Sequence, residues 1–147
     1  MDSPEKYMSL DITPLQKASE ALKRSLNVTA FNTEFHLLPL DQQETLQAGV
    51  IQNFEVAFEL SWKFMKRWIE TNIGREVVDG VSRRELFRIA SEVRLVNDIE
   101  QWIEFHYTRN TTSHTYDEEI ADSAYEIAVK FYPFLLELIE NLQNKND

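Results

Sequence analysis

The chain has 147 residues, 25 acidic against 15 basic side chains, no cysteine, three glycines and four prolines. That length suits one domain, residues 1–147, able to bury roughly 70% of its unfolded surface. The lack of thiols excludes disulfides, thiolate nucleophiles and sulfur-ligated zinc, and makes a reducing cytoplasm the expected location.

The N-terminal stretch from Met1 to Leu10 carries Asp2, Glu5 and Lys6 without an apolar run, so it does not read as a secretory leader. No later stretch is apolar and uncharged enough to cross a bilayer, and no membrane partner is expected. The net charge of −10 argues against nonspecific coating of nucleic acid, because each phosphate contact needs a cation. The charge is uneven: Lys63, Lys66, Arg67, Arg75, Arg83, Arg84, Arg88 and Arg94 make the middle of the chain basic. A solvated helical face paired at i,i+4 with neighbouring glutamates accounts for them more simply than a phosphate-attracting surface.

Few glycines and prolines and little apolar-polar alternation predict an all-α fold, an antiparallel bundle of four to five helices. The first helix is expected to start at Thr13-Pro14, threonine as N-cap and proline in the first turn, and to run through Leu15, Ala18, Leu22 and Leu26. It should fray at Asn27-Val28-Thr29. After a loop with His36 and Pro39, Asp41 is the expected cap of a long helix. Phe54, Phe58, Trp62, Met65 and Ile69 form one stripe on it, and Val50, Ala57, Phe64 and Trp68 a second. So broad an apolar face needs cover on two sides, which makes this the central helix and leaves any excess for an interface with a second chain. Asn72-Ile73-Gly74 is the expected stop.

Ser82 with Glu85 reads as a capping box for a short helix, and Asp98 caps the next, through Ile99, Trp102, Ile103 and Phe105. That helix should lose its grip between Thr108 and Ser113, where small polar and β-branched residues compete with the helical backbone. Asp117-Glu118-Glu119 opens a last helix by Ala121, Ala124, Ile127, Ala128, Phe131, Leu135, Leu138 and Leu142. Pro133 should kink or split it. A disordered tail is expected over 141–147.

The concentrated chemistry lies in Arg109-Asn110-Thr111-Thr112-Ser113-His114-Thr115-Tyr116. Arg109 and His114 are five apart, about 140° around an ideal helix, so only a break between them lets them converge. Arginine offers phosphate a fixed fork of donors, and histidine exchanges protons near neutrality, which is the minimum for phosphodiester cleavage without a metal. Asn110 is a supporting candidate that orients the histidine or donates to phosphate, and the N-terminus of the last helix is a candidate source of backbone donors. The plainer alternative is that Arg109 pairs with an acid and His114 packs at a helix junction. His106 reads as a half-buried histidine or as a cleft residue one turn before Asn110. His36 has no partner in view, and the three histidines share no metal-ligand spacing, so neither metal nor cofactor is expected.

The run from Arg109 through His114 to Tyr116-Asp117 resembles the R-N-x-x-x-H-x-Y-D signature of HEPN-domain proteins, in particular the nucleotidyltransferase substrate-binding type. Phe54-Glu55, Phe58-Glu59-Leu60 and Trp62-Lys63 are similar to that family's aromatic-acidic helix, and Ser82 to Ala90 with Asp98 and Trp102 to the segment before the motif. The resemblance implies a HEPN-type bundle that forms a homodimer and a complex with a minimal nucleotidyltransferase. It implies a metal-independent ribonuclease toxin acting on RNA, with Arg109 stabilising the phosphorane and His114 in proton transfer. Tyr116 would be the acceptor that the partner adenylylates to neutralise the toxin. A non-catalytic subunit that completes a minimal nucleotidyltransferase, binding its substrate or nucleotide, is the second reading. A purely structural dimer that keeps the signature without its activity is a third.

Overall fold

The computed structural model describes residues 10–145. The expected absence of a leader, and the last two residues of the expected tail, fall outside them. Six α-helices follow one another: α1 Thr13–Asn27, α2 Leu40–Asn72, the single turn α3 Arg75–Val78, α4 Arg83–Glu92, α5 Ile99–Thr111 and α6 Glu118–Asn144. Short 3-10 turns occupy Phe35–Leu37 and Thr112–His114, and no strand occurs among the described residues. The all-α expectation holds, with five helices of ten residues or more.

The caps explain where several helices start. Ser82 Oγ accepts from the Glu85 amide at 3.1 Å, Asp98 Oδ1 accepts from the Gln101 amide at 3.1 Å, and Asp117 Oδ1 accepts from the amides of Glu119 and Ile120 at 3.0 and 3.3 Å. Glu85 does not complete the capping box, since its carboxylate pairs with Arg88 one turn on. Two expected caps are displaced. Thr13 is already inside α1, its amide bonded to Asp11 Oδ1 at 3.0 Å, so the aspartate two residues earlier takes the capping task. Asp41 lies inside the first turn of α2, whose cap position is Pro39; the Pro39 carbonyl accepts from the amides of Gln42 and Gln43. Helix α1 ends at Asn27, where the sequence placed its end, with Asn27 and Val28 exposed; Thr29 is buried and its hydroxyl donates to the Ser25 carbonyl at 2.8 Å.

Helix α2 is central, touching α1, α3, α4, α5 and α6. Its two stripes are buried in this chain except at Trp62, which is half-buried: Val50, Phe54, Ala57, Phe58, Phe64, Met65, Trp68 and Ile69 are buried. Those buried positions leave no aromatic surface for a second chain, because α1, α4, α5 and α6 all pack against α2. An aromatic cluster fills the centre. The Phe131 ring meets Phe54 at 5.1 Å, Phe105 at 5.1 Å, Trp102 at 5.7 Å and Phe58 at 6.1 Å between centroids, edge to face.

Helix α6 corrects two expectations. Pro133 does not divide it: one helix runs from Glu118 to Asn144 with the proline inside. Pro133 is exposed, while Ala124, Ala128, Phe131, Leu135, Leu138 and Leu142 bury a continuous stripe across it. Burial of about 1.5 to 3 kcal/mol for each large side chain outweighs one lost helical hydrogen bond. The tail begins later than expected, because Leu142 is fully buried and Asn141 Nδ2 donates to the Leu95 carbonyl at 2.9 Å.

Candidate functional site

The Arg109–Tyr116 segment spans the junction between α5 and α6. Helix α5 ends at Thr111, and its cap residue Thr112 opens a 3-10 turn that carries His114. This break falls inside the interval the sequence marked out. Thr111 Oγ1 donates to the Thr108 carbonyl at 2.7 Å, the local competition for the helical backbone that threonines in this register provide.

Arg109 points back onto α2. Its Nη1 lies 3.4 Å from Glu55 Oε2, its Nε 3.2 Å from Glu59 Oε1, and Nη1 donates to Thr112 Oγ1 at 3.2 Å. The Nε contact is an ion pair without hydrogen-bond alignment. The other terminal nitrogen, Nη2, makes no hydrogen bond among the described residues. Glu55 and Glu59 stand one helical turn apart on the flank of α2, beside the buried Phe54 and Phe58. Each carboxylate has a second neighbour. Thr112 Oγ1 lies 2.8 Å from both Glu55 Oε2 and the Arg109 carbonyl, and Trp62 Nε1 donates to Glu59 Oε2 at 3.0 Å. Trp62 in turn lies beneath the Arg83 guanidinium, 3.3 Å from its ring centroid.

His114 is exposed and belongs to a different pair. Its Nδ1 lies 3.4 Å from the Tyr116 hydroxyl, with the two rings edge to face at 5.9 Å. Nε2 makes no hydrogen bond among the described residues, and Tyr116 is 85% exposed. No hydrogen bond or ring contact joins Arg109 to His114, so within one chain the break in α5 does not bring the two into contact. The plainer alternative for Arg109, pairing with an acid, is what the chain shows. Asn110 is exposed and makes no side-chain hydrogen bond among the described residues. The N-terminus of α6 offers no free first-turn donors at Glu119 and Ile120, because Asp117 takes both.

The remaining histidines stand apart. His106 is half-buried against Phe58, 6.3 Å between ring centroids. Burial pushes its pKa below the ordinary value, the Arg83 charge adds to that, and Glu59 opposes it. His36 lies in the loop before α2, where its carbonyl accepts from Gln43. Among the described residues no group of three or more His, Cys, Asp or Glu side chains comes together to hold a metal ion. No described helix is long and apolar enough to cross a membrane.

Beside the junction runs a groove of about 690 Å³ between the N-terminal half of α2 and the start of α6, with Tyr116 on its lining. Glu44, Glu55, Glu118 and Asp122 contribute to it, and no basic side chain does. A phosphate backbone is repelled there. The cations of α4 are largely spoken for, Arg84 by Glu100 and Arg88 by Glu85 and Glu92, in line with the solvated-face reading.

A helical bundle that presents an arginine, a histidine and a tyrosine at one helix junction defines the class. The chain belongs to the family described as nucleotidyltransferase substrate binding protein like, whose model matches residues 10–144. It is 33% identical over 141 residues to the probable ribonuclease HepT of Haemophilus influenzae, covering 93% of this chain and 94% of that one. A solved Haemophilus influenzae structure, described as the fold of a substrate binding domain of a nucleotidyltransferase, superposes with a TM-score of 0.83 at 31% identity, over 90% of this chain and 99% of that one. A Thermus thermophilus crystal structure at 24% identity shares the fold, with a TM-score of 0.68 over 88% of this chain and 98% of that one.

Glu55, Glu59 and Thr112 were not among the expected site residues. The available signal was the spacing of Glu55 and Glu59, two acids one turn apart at the border of an apolar stripe, where a carboxylate meets whatever helix covers that stripe.

Proposed function

We propose that this chain is the RNA-cleaving member of a two-protein system, with Arg109 and His114 as its working residues and a minimal nucleotidyltransferase as its partner. The observation that carries the reading is the imidazole of His114. It stands exposed in the turn that ends α5, five residues after Arg109, with Nε2 unbonded and available to a ligand. The kinship with a probable ribonuclease over most of both chains supports it.

In the proposed reaction the ribose 2′-hydroxyl attacks phosphorus and gives up its proton to a base. The bond from phosphorus to the 5′-oxygen breaks, and that oxygen leaves with a proton from an acid. The products are a 2′,3′-cyclic phosphate and a 5′-hydroxyl. A histidine serves either proton transfer near neutral pH, and arginine stabilises the charge that gathers on the phosphorane. One histidine per chain cannot hold both protonation states at once, so a homodimer that faces two Arg109–His114 pairs supplies base and acid together. Asn110, exposed one residue after Arg109, supports phosphate binding.

Tyr116 is the proposed site of neutralisation. A nucleotidyl group on its hydroxyl adds bulk and negative charge where the unmodified oxygen is 3.4 Å from His114 Nδ1, repelling RNA phosphate. The second reading, a non-catalytic subunit that completes the nucleotidyltransferase, is favoured by the occupation of Arg109 by two carboxylates and by the description of the related Haemophilus structure.

The test is incubation of the purified protein with transfer RNA and mixed cellular RNA in EDTA, beside Arg109→Ala, His114→Ala and Tyr116→Phe. We expect wild type and Tyr116→Phe to cut, leaving 2′,3′-cyclic phosphate ends, and the other two to lose about 100-fold or more. Co-expression with the nucleotidyltransferase should silence wild type and spare Tyr116→Phe. A folded dimer that cuts no RNA across types and salt would transfer the conclusion to the substrate-binding subunit.

A further inference from the structure

Surface ion pairs between long side chains contribute little, because both partners must be immobilised against solvent. The acids around Arg109 differ from that case. Each carboxylate has a second contact: Trp62 Nε1 donates to Glu59, and the buried Thr112 hydroxyl, which accepts from Arg109 Nη1, lies 2.8 Å from both Glu55 Oε2 and the Arg109 carbonyl, which share its one proton. Trp62 is itself covered by Arg83 from α4, so the anchoring chain reaches across α2, α4 and the turn after α5. The guanidinium is gripped on its Nε and Nη1 side, and the Nη2 side makes no bond. Two carboxylates against one guanidinium also leave one net negative charge, which weakens phosphate binding rather than strengthening it. An arrangement that costs affinity and fixes geometry is suited to a group needed in the transition state.

We infer that Glu55 and Glu59, braced by Thr112 and Trp62, are positioning residues that hold the Arg109 guanidinium with its Nη2 edge turned to the phosphate under attack. The inference rests on the ribonuclease reading for its purpose; the gripping of a guanidinium group is testable without it. Loss of either acid frees Arg109 to swing and relieves the negative charge at once. Glu59→Gln should therefore lower kcat about tenfold while KM for RNA stays level or falls. Trp62→Phe, which keeps an aromatic ring near Arg83 and removes the Nε1 donor with the rest of the indole, should act in the same direction. A merely structural role would lower the amount of folded protein and leave kcat per folded molecule and KM unchanged.

The experiment uses full-length protein and guanidinium ion as the probe. In Arg109→Ala the vacated space between Glu55 and Glu59 should bind guanidinium at millimolar concentration, shifting the Trp62 indole N–H resonance in a saturable way. Cleavage should return with the same midpoint. Arg109→Ala combined with Glu59→Gln should show neither effect. Wild-type kcat in Glu59→Gln, or equal rescue of the single and double variants, would overturn the inference. A wild type that cuts no RNA would overturn the ribonuclease reading and the purpose assigned to the grip. A saturable indole shift in Arg109→Ala would then still uphold the grip itself, and its absence would overturn that too.

Discussion

His106 shows how a single side chain records its surroundings. It lies against Phe58 from α2, with Arg83 of α4 and Glu59 of α2 as the charges that act on it. Burial comes first among the causes that hold its pKa below 6.5, so the folded chain takes up a proton less readily than the unfolded chain. The sign follows: the contribution to stability is complete above the unfolded value and is lost as pH falls below about 6.5 towards the folded value. Denaturant unfolding of wild type at pH 7 and pH 5 should show that fall, and His106→Gln should show a shallower one. Glu85 and Glu104, whose pKa values are lowered chiefly by hydrogen bonds from Arg88 and from Gln101, respond in the carboxylate range and lie outside this window. His114, three residues beyond the end of α5, is exposed and free of such packing.

Among the elements, α6 carries the sharpest internal conflict. Its backbone would stop at Pro133 if local preference ruled, since proline in a helix interior costs about 3 kcal/mol. Phe131 and Leu135, two residues to either side, are both fully buried and keep the helix whole. Pro133 itself is exposed, so replacing it leaves the core unchanged. Pro133→Ala should raise the free energy of unfolding by about 1 to 3 kcal/mol, read as a higher denaturant midpoint with unchanged slope. At the start of the same helix Asp117 occupies the amides of Glu119 and Ile120, which takes two of the first-turn donors away from the junction.

At the scale of the whole molecule, the Phe131 ring joins α6 to α2 and α5 through Phe54, Phe58, Trp102 and Phe105. Phe131→Ala should destabilise the chain by about 3 to 5 kcal/mol, a loss visible in the denaturant midpoint, because a close-packed interior only partly collapses into the space left. The same contacts fix the distance between α5 and α2, and therefore where the Arg109 guanidinium meets Glu55 and Glu59. Core packing and site geometry are in this way one structure, and milder changes at Phe105 or Phe58 should move the Arg109 guanidinium against Glu55 and Glu59 before they reach folding.

What the sequence by itself determined is what neighbours along the chain can decide. Ser82, Asp98 and Asp117 cap their helices through amides two or three residues on, the apolar stripes of α2 follow from their spacing, and the threonines after Thr108 end α5 where they should. The same range made Arg109 and His114 recognisable as candidates. The tertiary structure decided the rest. Arg109 chose carboxylates some fifty residues earlier because the packing of α5 on α2 sets the register between them, and no local pattern specifies that register. Both stripes of α2, the half-buried Trp62 apart, went into this chain's own core because α1, α4, α5 and α6 pack against it, and α6 ran through Pro133 and on to Asn144 because its buried side chains outweigh the local preferences that would have ended it.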